Sequence, residues 1–125
     1  MNIRICMAKI HRATVTGAEL NYSGSITIDQ ALLEASGIRS HQMVMVNNLS
    51  NGVSWQTYVI VGEKGKGEII LNGPPARLFQ PGDKVIILAE AFVDEKEFST
   101  FESKFVFVDE NNKVTRVDKK AGQNF

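Results

Sequence analysis

Cysteine is nearly absent from this chain, since Cys6 is the single one among 125 residues. One cysteine excludes an internal disulfide framework and is typical of a reducing compartment, so a cytoplasmic domain is expected. Basic and acidic side chains are equal at 14 each, which gives no field to attract nucleic acid or an acidic membrane surface. The longest apolar run, 85–89, is far too short to span a bilayer.

Histidine is also scarce. His11 and His41 are isolated from each other and from the one cysteine, so the sequence suggests no metal site. The length predicts a single domain over residues 1–125. Many short runs of strand composition, separated by turn signals, predict a mainly β fold and leave a barrel and a sandwich open.

The predicted helices are few and short. Asp29 is a good N-cap and Gly37 a good C-terminal stop, so a short helix is expected between them. Residues 94–99 are a candidate for one more helical turn. A late hairpin is expected from 105–108 and 113–117, and the polar segment 118–125 is expected to be a mobile tail.

The first strand carries two polar side chains of interest. Between Ile3 and Val15 the odd positions form an apolar series that also contains Lys9 and His11. An unpaired charge on an apolar face is costly. These side chains therefore either reach water where the strand leaves the core or line a functional site.

Gly24 and Ser25 lie at the centre of a stretch from Tyr22 to Asp29. If Gly24 is held in a conformation that only glycine accepts, its amide is strained toward attack by the Ser25 hydroxyl. The resulting ester can eliminate and hydrolyse to leave a pyruvoyl group at a new amino terminus. Gly-Ser is also common in ordinary turns, and Gly24 within a strand-like segment suggests a bulge.

Five segments resemble one family in order and at its spacing: 9–16, 20–29, Thr57-Tyr58, 71–73 and 82–87. They are similar to the pyruvoyl-dependent aspartate 1-decarboxylases over residues 1–90, and more loosely from Phe92 onward. The resemblance implies a double-psi β-barrel that cleaves itself into residues 1–24 and 25–125. It implies a homotetramer with each active site at a subunit interface, and leaves open whether a maturation partner is needed.

The resemblance also implies the chemistry. Ser25 becomes a pyruvoyl group that forms an imine with the substrate amine, with no metal and no pyridoxal phosphate. Aspartate then loses carbon dioxide to give β-alanine, a precursor of pantothenate.

Residue roles follow from the same matches. Tyr58 corresponds to the proton donor and Thr57 to a residue of self-cleavage, whose hydroxyl can donate to the oxyanion on Gly24. Lys9 corresponds to a cation that holds a substrate carboxylate. Thr57 is also assigned to the substrate site. The other positions that the resemblance assigns to it are His11, Tyr22, Asn72, Gly73, Pro74 and Pro75.

Two departures from the family pattern concern substrate recognition. Ser54 stands where the family carries an arginine that binds a substrate carboxylate. Pro74 and Pro75 stand where the family has two alanines, and each proline lacks an N–H donor. Neither change is expected to affect self-cleavage.

Two other functions are therefore weighed against aspartate decarboxylation. A pyruvoyl decarboxylase of a different amino acid accounts for Ser54 and the two prolines. An uncleaved barrel that serves as a binding module would need no joint retention of Lys9, the Gly-Ser pair, Thr57-Tyr58 and Asn72, which argues against it.

Overall fold

The chain is dominated by strands. A computed structural model describes residues 1–123, with nine strands, one α-helix and one short 3-10 helix in that range. The elements are β1 Asn2–Thr14, β2 Gly17–Glu19, β3 Ser25–Asp29, α1 Gln30–Ser36, β4 Met43–Asn48, β5 Ser54–Gly62, β6 Ile69–Asn72, the 3-10 helix Pro74–Arg77, β7 Lys84–Asp94, β8 Glu102–Val108 and β9 Val114–Ala121. The prediction of a mainly β fold with one or two short helices is confirmed.

The strands form one sheet that closes on itself. Its order is β2-β6-β3-β5-β4-β7-β1-β8-β9. β1 pairs with β7, and the chain then runs through Val15 and Thr16 directly into β2, which pairs with β6. The Thr16 N–H donates to the Ile69 carbonyl at 2.8 Å, so the segment that continues β1 bonds to β6 and closes the sheet into a barrel. Of the two architectures left open by the sequence, the barrel is the observed one.

Aliphatic side chains from β1, β3, β5, β6 and β7 fill the interior. Ile10, Ile26, Val59, Leu71 and Ile87 have no exposed surface. Burying such a side chain contributes about 1.5–3 kcal/mol each, so this cluster supplies the main stabilisation of the barrel.

The apolar alternation of β1 breaks at a bulge. Ala8 and Ile10 are buried, whereas the odd positions 9 and 11 are half-buried on the opposite face. The register against β7 shifts between Ile10 and Ala13, and Arg12 has a φ of 58°. Since side chains alternate along a strand, one extra residue transfers burial from even to odd positions. The predicted common apolar face of residues 3–15 is therefore wrong.

The helix caps are those that the sequence predicted. The Asp29 carboxylate accepts from the Ala31 N–H at 2.8 Å, and Gly37 has the left-handed φ of 79°. Asp29 also accepts from the amides of Gly65 and Gly67, at 3.0 and 2.7 Å. No helix of the described chain has the length and apolarity to cross a membrane.

Two local predictions differ from the structure. Residues 95–100 form turns, and the Phe101 N–H donates to the Glu97 carbonyl at 2.9 Å, so the single helical turn lies over 97–101 instead of 94–99. Residues 118–121 form the end of β9 and pair with 102–105 of β8, so the predicted mobile tail is wrong for these residues. Residues 124 and 125 lie outside the described residues. The predicted late hairpin is present and is longer than expected.

Asp29 should make stability depend on pH. Burial alone would raise the pKa of its carboxyl, but hydrogen bonds from three backbone amides, those of Ala31, Gly65 and Gly67, lower the pKa below its ordinary value. The ionised form therefore stabilises the fold fully above about pH 4, and this contribution is lost as the pH falls further. Asp29→Asn should cost about 2 kcal/mol at pH 7.

Urea denaturation at pH 7 and at acidic pH measures this effect. The gap in unfolding free energy between wild type and Asp29→Asn should narrow below about pH 4. Glu110→Gln, at an exposed position, is the control and should show no such gap. A gap that stays constant with pH would contradict the assignment.

Candidate active site

Ser25 and Asn72 face each other across two antiparallel strands. The register of β3 and β6 pairs them directly, and both side chains are buried, at 0% and 3% exposure. The Asn72 Nδ2 donates to Ser25 Oγ at 2.9 Å and to Thr27 Oγ1 at 3.1 Å. Both amide protons of Asn72 are therefore used, which fixes the orientation of the amide and the position of the Ser25 hydroxyl.

Gly24 lies outside the sheet. Residues 20–24 form a loop between β2 and β3, in place of the bulged strand that the sequence suggested. The φ of Gly24 is outside the left-handed region, and a Cβ built on it would meet only Pro74 Cδ, at 4.0 Å. Gly24 therefore does not have a backbone conformation that only glycine adopts readily. Gly73 has such a conformation, with a φ of 80°.

Thr57 and Tyr58 lie on the strand next to β3. β3 and β5 are parallel with Ile26 opposite Val59. Continuing that register toward the amino terminus brings Ser25 level with Tyr58, and Gly24 level with Thr57. The Thr57 side chain is buried, with 6% exposure.

His41 is a contact of Tyr58 that the sequence did not reveal. It is exposed, as predicted, but its ring lies edge-on to the Tyr58 ring with centroids 5.8 Å apart. The two residues are distant in sequence, and no local pattern could have linked them.

Lys9 and His11 occupy a different place. They line a cavity of about 180 Å³ together with Phe105, Phe107, Asp118 and Lys120 of β8 and β9. The His11 ring contacts Phe107 at a centroid distance of 5.6 Å. Burial, and then the positive charges of Lys9 and Arg12, lower the pKa of His11 and favour the neutral imidazole.

This cavity does not include Ser25. Lys9 and His11 lie on β1, which pairs with β7 and β8. Ser25 lies on β3, which pairs with β5 and β6. Within residues 1–123 the structure thus divides the predicted site residues into two groups. Ser25, Asn72 and Gly73 form one group with Thr57 and Tyr58 beside it, and Lys9 and His11 form the other.

The two departures from the family pattern have clear surroundings. Ser54 is exposed at the start of β5 and donates to Asn47 Oδ1 at 2.6 Å. Pro75 is buried in the 3-10 helix, and Pro74 is exposed beside Gly24. Pro74 thus lies near the predicted self-cleaving segment, and the expectation that neither departure affects self-cleavage stays a prediction.

Tyr22 has 59% of its surface exposed in the loop before Gly24. Among residues 1–123 there is no group of three histidine, cysteine, aspartate or glutamate side chains that could hold a metal ion. Thr27 is a site residue that the sequence reasoning missed, although its alternation with Ser25 on β3 is the signal that could have found it.

Fold and site together define a class. The chain is a β-barrel protein in which a buried serine, anchored by an asparagine amide, directly follows a loop glycine. The sequence profile of the aspartate decarboxylase family matches residues 1–115, and the chain belongs to that family. The resemblance drawn from the sequence is confirmed.

Two curated relatives support the same assignment. A protein named aspartate 1-decarboxylase from Caldicellulosiruptor saccharolyticus is 53% identical over 120 residues, covering 96% of this chain and 94% of its own. Another of that name, from Ruminiclostridium cellulolyticum, is 56% identical over 116 residues and covers 93% of this chain and 91% of its own. Among solved structures, the rationally designed mkDPBB_sym1 protein aligns with 71% of this chain and 99% of its own at 17% identity and a TM-score of 0.45.

Thr27 should support the site through Asn72. Thr27→Val removes one acceptor of the Asn72 amide, so the Ser25 hydroxyl should be held less firmly. Since one hydrogen bond is worth about 0.5–1.5 kcal/mol, the self-cleavage predicted from the sequence should slow about two- to tenfold. Intact-mass analysis of fresh protein over time gives the rate. Thr115→Val, at an exposed threonine of β9, is the control, and an unchanged rate in Thr27→Val would contradict the role.

Proposed function

We propose that this chain cleaves itself between Gly24 and Ser25 and then decarboxylates L-aspartate to β-alanine and carbon dioxide, for pantothenate biosynthesis. The observation that carries the proposal is the Ser25 hydroxyl, buried directly after Gly24 and held by Asn72 at 2.9 Å. Membership of the aspartate decarboxylase family supplies the substrate.

The sheet is suited to a cut at this place. The pairing of β3 begins at Ser25, and residues 20–24 belong to no strand. Cleavage would therefore leave β2 on β6, and β3 between β5 and β6, with every ladder intact. The two products should stay together as one barrel with the new amino terminus inside it.

The cleavage chemistry balances with water as the only added reactant. Ser25 Oγ attacks the Gly24 carbonyl carbon, a C–O bond forms, the C–N bond breaks, and the hydroxyl proton passes to the released amine. Loss of the Ser25 α-proton then expels the Gly24 carboxylate. Water replaces the nitrogen, which leaves as ammonia. The register that sets Thr57 level with Gly24 supports a Thr57 hydroxyl that donates to the oxyanion.

A pyruvoyl group derived from Ser25 fits its surroundings, because Asn72 Nδ2 is a hydrogen-bond donor already placed at the Ser25 side-chain oxygen. Such a group supplies the electron sink for decarboxylation. Tyr58, level with Ser25 in the register, holds at its hydroxyl the proton that the substrate carbon receives. The Tyr58 ring is oriented by its contact with His41.

The division of the site supports an assembly. Lys9 is the cation assigned to a substrate carboxylate, yet its cavity lies apart from Ser25 within one chain. A homotetramer with interface active sites would bring Lys9 and His11 of one copy to Ser25 of another. Exposed apolar side chains, such as Met43 at 51% and Phe92 at 71%, are compatible with subunit contacts. We place this assembly in the cytoplasm.

A different amino acid is the second candidate substrate. Ser54 is bound to Asn47 and offers no charge where the family has an arginine. Pro74 and Pro75 provide no N–H toward a bound carboxylate. These positions favour weaker recognition of a second carboxylate than in arginine-bearing relatives.

The first test is self-cleavage itself. Purified wild type should convert into residues 1–24 and 25–125, and the larger piece should resist Edman degradation because its terminus has no amine. Ser25→Ala should stay intact, since no hydroxyl remains to attack. Intact-mass analysis decides the matter.

Ser23→Ala is the matched control for this test. It changes the preceding serine, which is exposed in the same loop, and should cleave as the wild type does. A wild type that remains one intact chain after prolonged warming would overturn the proposal of unassisted self-cleavage.

Substrate choice is the second test. Loss of a hydrogen bond to a charged group costs about 1.5–3 kcal/mol, so aspartate should be used with about 10- to 150-fold lower kcat/KM than in an arginine-bearing relative. Ser54→Arg should recover part of this loss. Carbon dioxide release from aspartate, glutamate, cysteine sulfinate and neutral amino acids gives the ranking. Another amino acid that exceeds aspartate about tenfold would transfer the assignment to the second candidate while leaving the processing unchanged.

A further inference from the structure

The turn that follows β6 has a backbone that only glycine adopts readily. Gly73 has φ 80° and ψ −143°, close to a region that is essentially restricted to glycine. Its N–H donates to the Glu19 carbonyl at 2.8 Å, which ties the turn to the end of β2. The turn therefore contacts the chain on the amino-terminal side of the loop that carries Gly24.

The missing Cβ of Gly73 leaves room for that loop. A Cβ built on Gly73 would lie 2.9 Å from the Tyr22 carbonyl oxygen and 3.0 Å from both the nitrogen and the Cα of Gly24. All three are backbone atoms, so no side chain could rotate away to relieve the clash. The segment 22–24 can occupy its observed position only because residue 73 is glycine.

The same turn also contacts the other side of the scissile bond. Asn72, one residue earlier, donates to Ser25 Oγ. Pro74, one residue later, lies beside Gly24, and its ring fixes its own φ. Residues 72–74 thus contact both residues of the Gly24–Ser25 peptide from one continuous and conformationally restricted segment.

We propose that this turn, residues 72–74, is a rigid template that positions the Gly24–Ser25 peptide for self-cleavage, with Gly73 and Pro74 as positioning residues. The inference rests on the proposed self-cleavage and assigns it a structural cause. An intramolecular attack needs the hydroxyl and the carbonyl carbon held at close range and in line. Asn72 fixes the hydroxyl, and Gly73 allows the carbonyl-bearing residue to pack against the same turn.

The first experiment compares two glycine-to-alanine variants. Gly73→Ala and Gly52→Ala add the same Cβ at similar angles, with φ of 80° and 75°, but a Cβ at Gly52 meets nothing within 4 Å. Gly73→Ala should slow conversion of the intact chain at least about tenfold, and Gly52→Ala should stay within about twofold of wild type. The rate is measured by intact mass on folded protein isolated by gel filtration, with the melting temperature of each variant recorded.

Hydroxylamine separates positioning from a general loss of structure. It cleaves the ester that forms when Ser25 attacks Gly24, and should therefore release fragments from wild type early in the reaction. It should release fragments at least about tenfold more slowly from folded Gly73→Ala, because the attack itself is slowed. Ester that accumulates in Gly73→Ala would overturn the template, since the attack would then have occurred.

A second pair covers the case in which Gly73→Ala does not fold. Pro74→Gly adds no atoms and loosens the turn, while Pro81→Gly makes the same change at another exposed proline. Pro74→Gly should slow cleavage about three- to tenfold. Pro81→Gly should lower the melting temperature by an amount similar to Pro74→Gly, because it frees the unfolded chain in the same way, and should leave the cleavage rate unchanged. Equal rates in wild type and Pro74→Gly, or in wild type and folded Gly73→Ala, would overturn the template while self-cleavage stands. An intact wild type would overturn both proposals.

Discussion

The hydrogen bond from Asn72 to Ser25 is the contact on which the site depends. The strand pairing of the barrel brings these two residues together. The bond requires β6 to lie antiparallel to β3 in one register. β6 is in turn held from its other side by Thr16, whose hydroxyl accepts from the Ile69 N–H at 2.9 Å. A one-residue slip would turn Ser25 and Asn72 to opposite faces, so closure of the barrel and geometry of the site are a single constraint.

The position of the strand boundary is the second constraint. Ser25 is the first residue of β3, and the glycine before it lies in the loop. A buried strand protects the hydroxyl from water and fixes it, whereas a loop leaves the carbonyl before it free of ladder hydrogen bonds. A Gly-Ser pair placed wholly in a loop would lack the fixed hydroxyl, and one placed wholly in a strand would bind the carbonyl in the sheet.

Sequence reasoning succeeded where short-range physics decides the structure. The caps of α1 were predicted because Asp29 and Gly37 act on residues within one turn of themselves. It failed at β1, where the bulge near Arg12 depends on pairing with β7, about 70 residues away in sequence. It also expected the conformation restricted to glycine at Gly24, whereas the structure has it at Gly73. The contact that requires glycine there joins two segments distant along the chain, which no local pattern reveals. The family resemblance supplied the site residues that pattern alone could not.

The separation of Lys9 from Ser25 determines how the departures from the family pattern affect substrate recognition. The Ser25 group contains the Asn72 amide, which donates to Ser25, and Tyr58 is level with Ser25 in the strand register. In the proposed assembly, recognition of a doubly charged substrate would come from Lys9, supplied across a subunit contact, and from position 54. With Ser54 neutral and bound to Asn47, a larger share of that recognition falls on Lys9. An ammonium acts as a point charge and imposes less geometry than a guanidinium fork, so substrate discrimination here should depend more on the shape of the turn at Pro74 than on charge pairing.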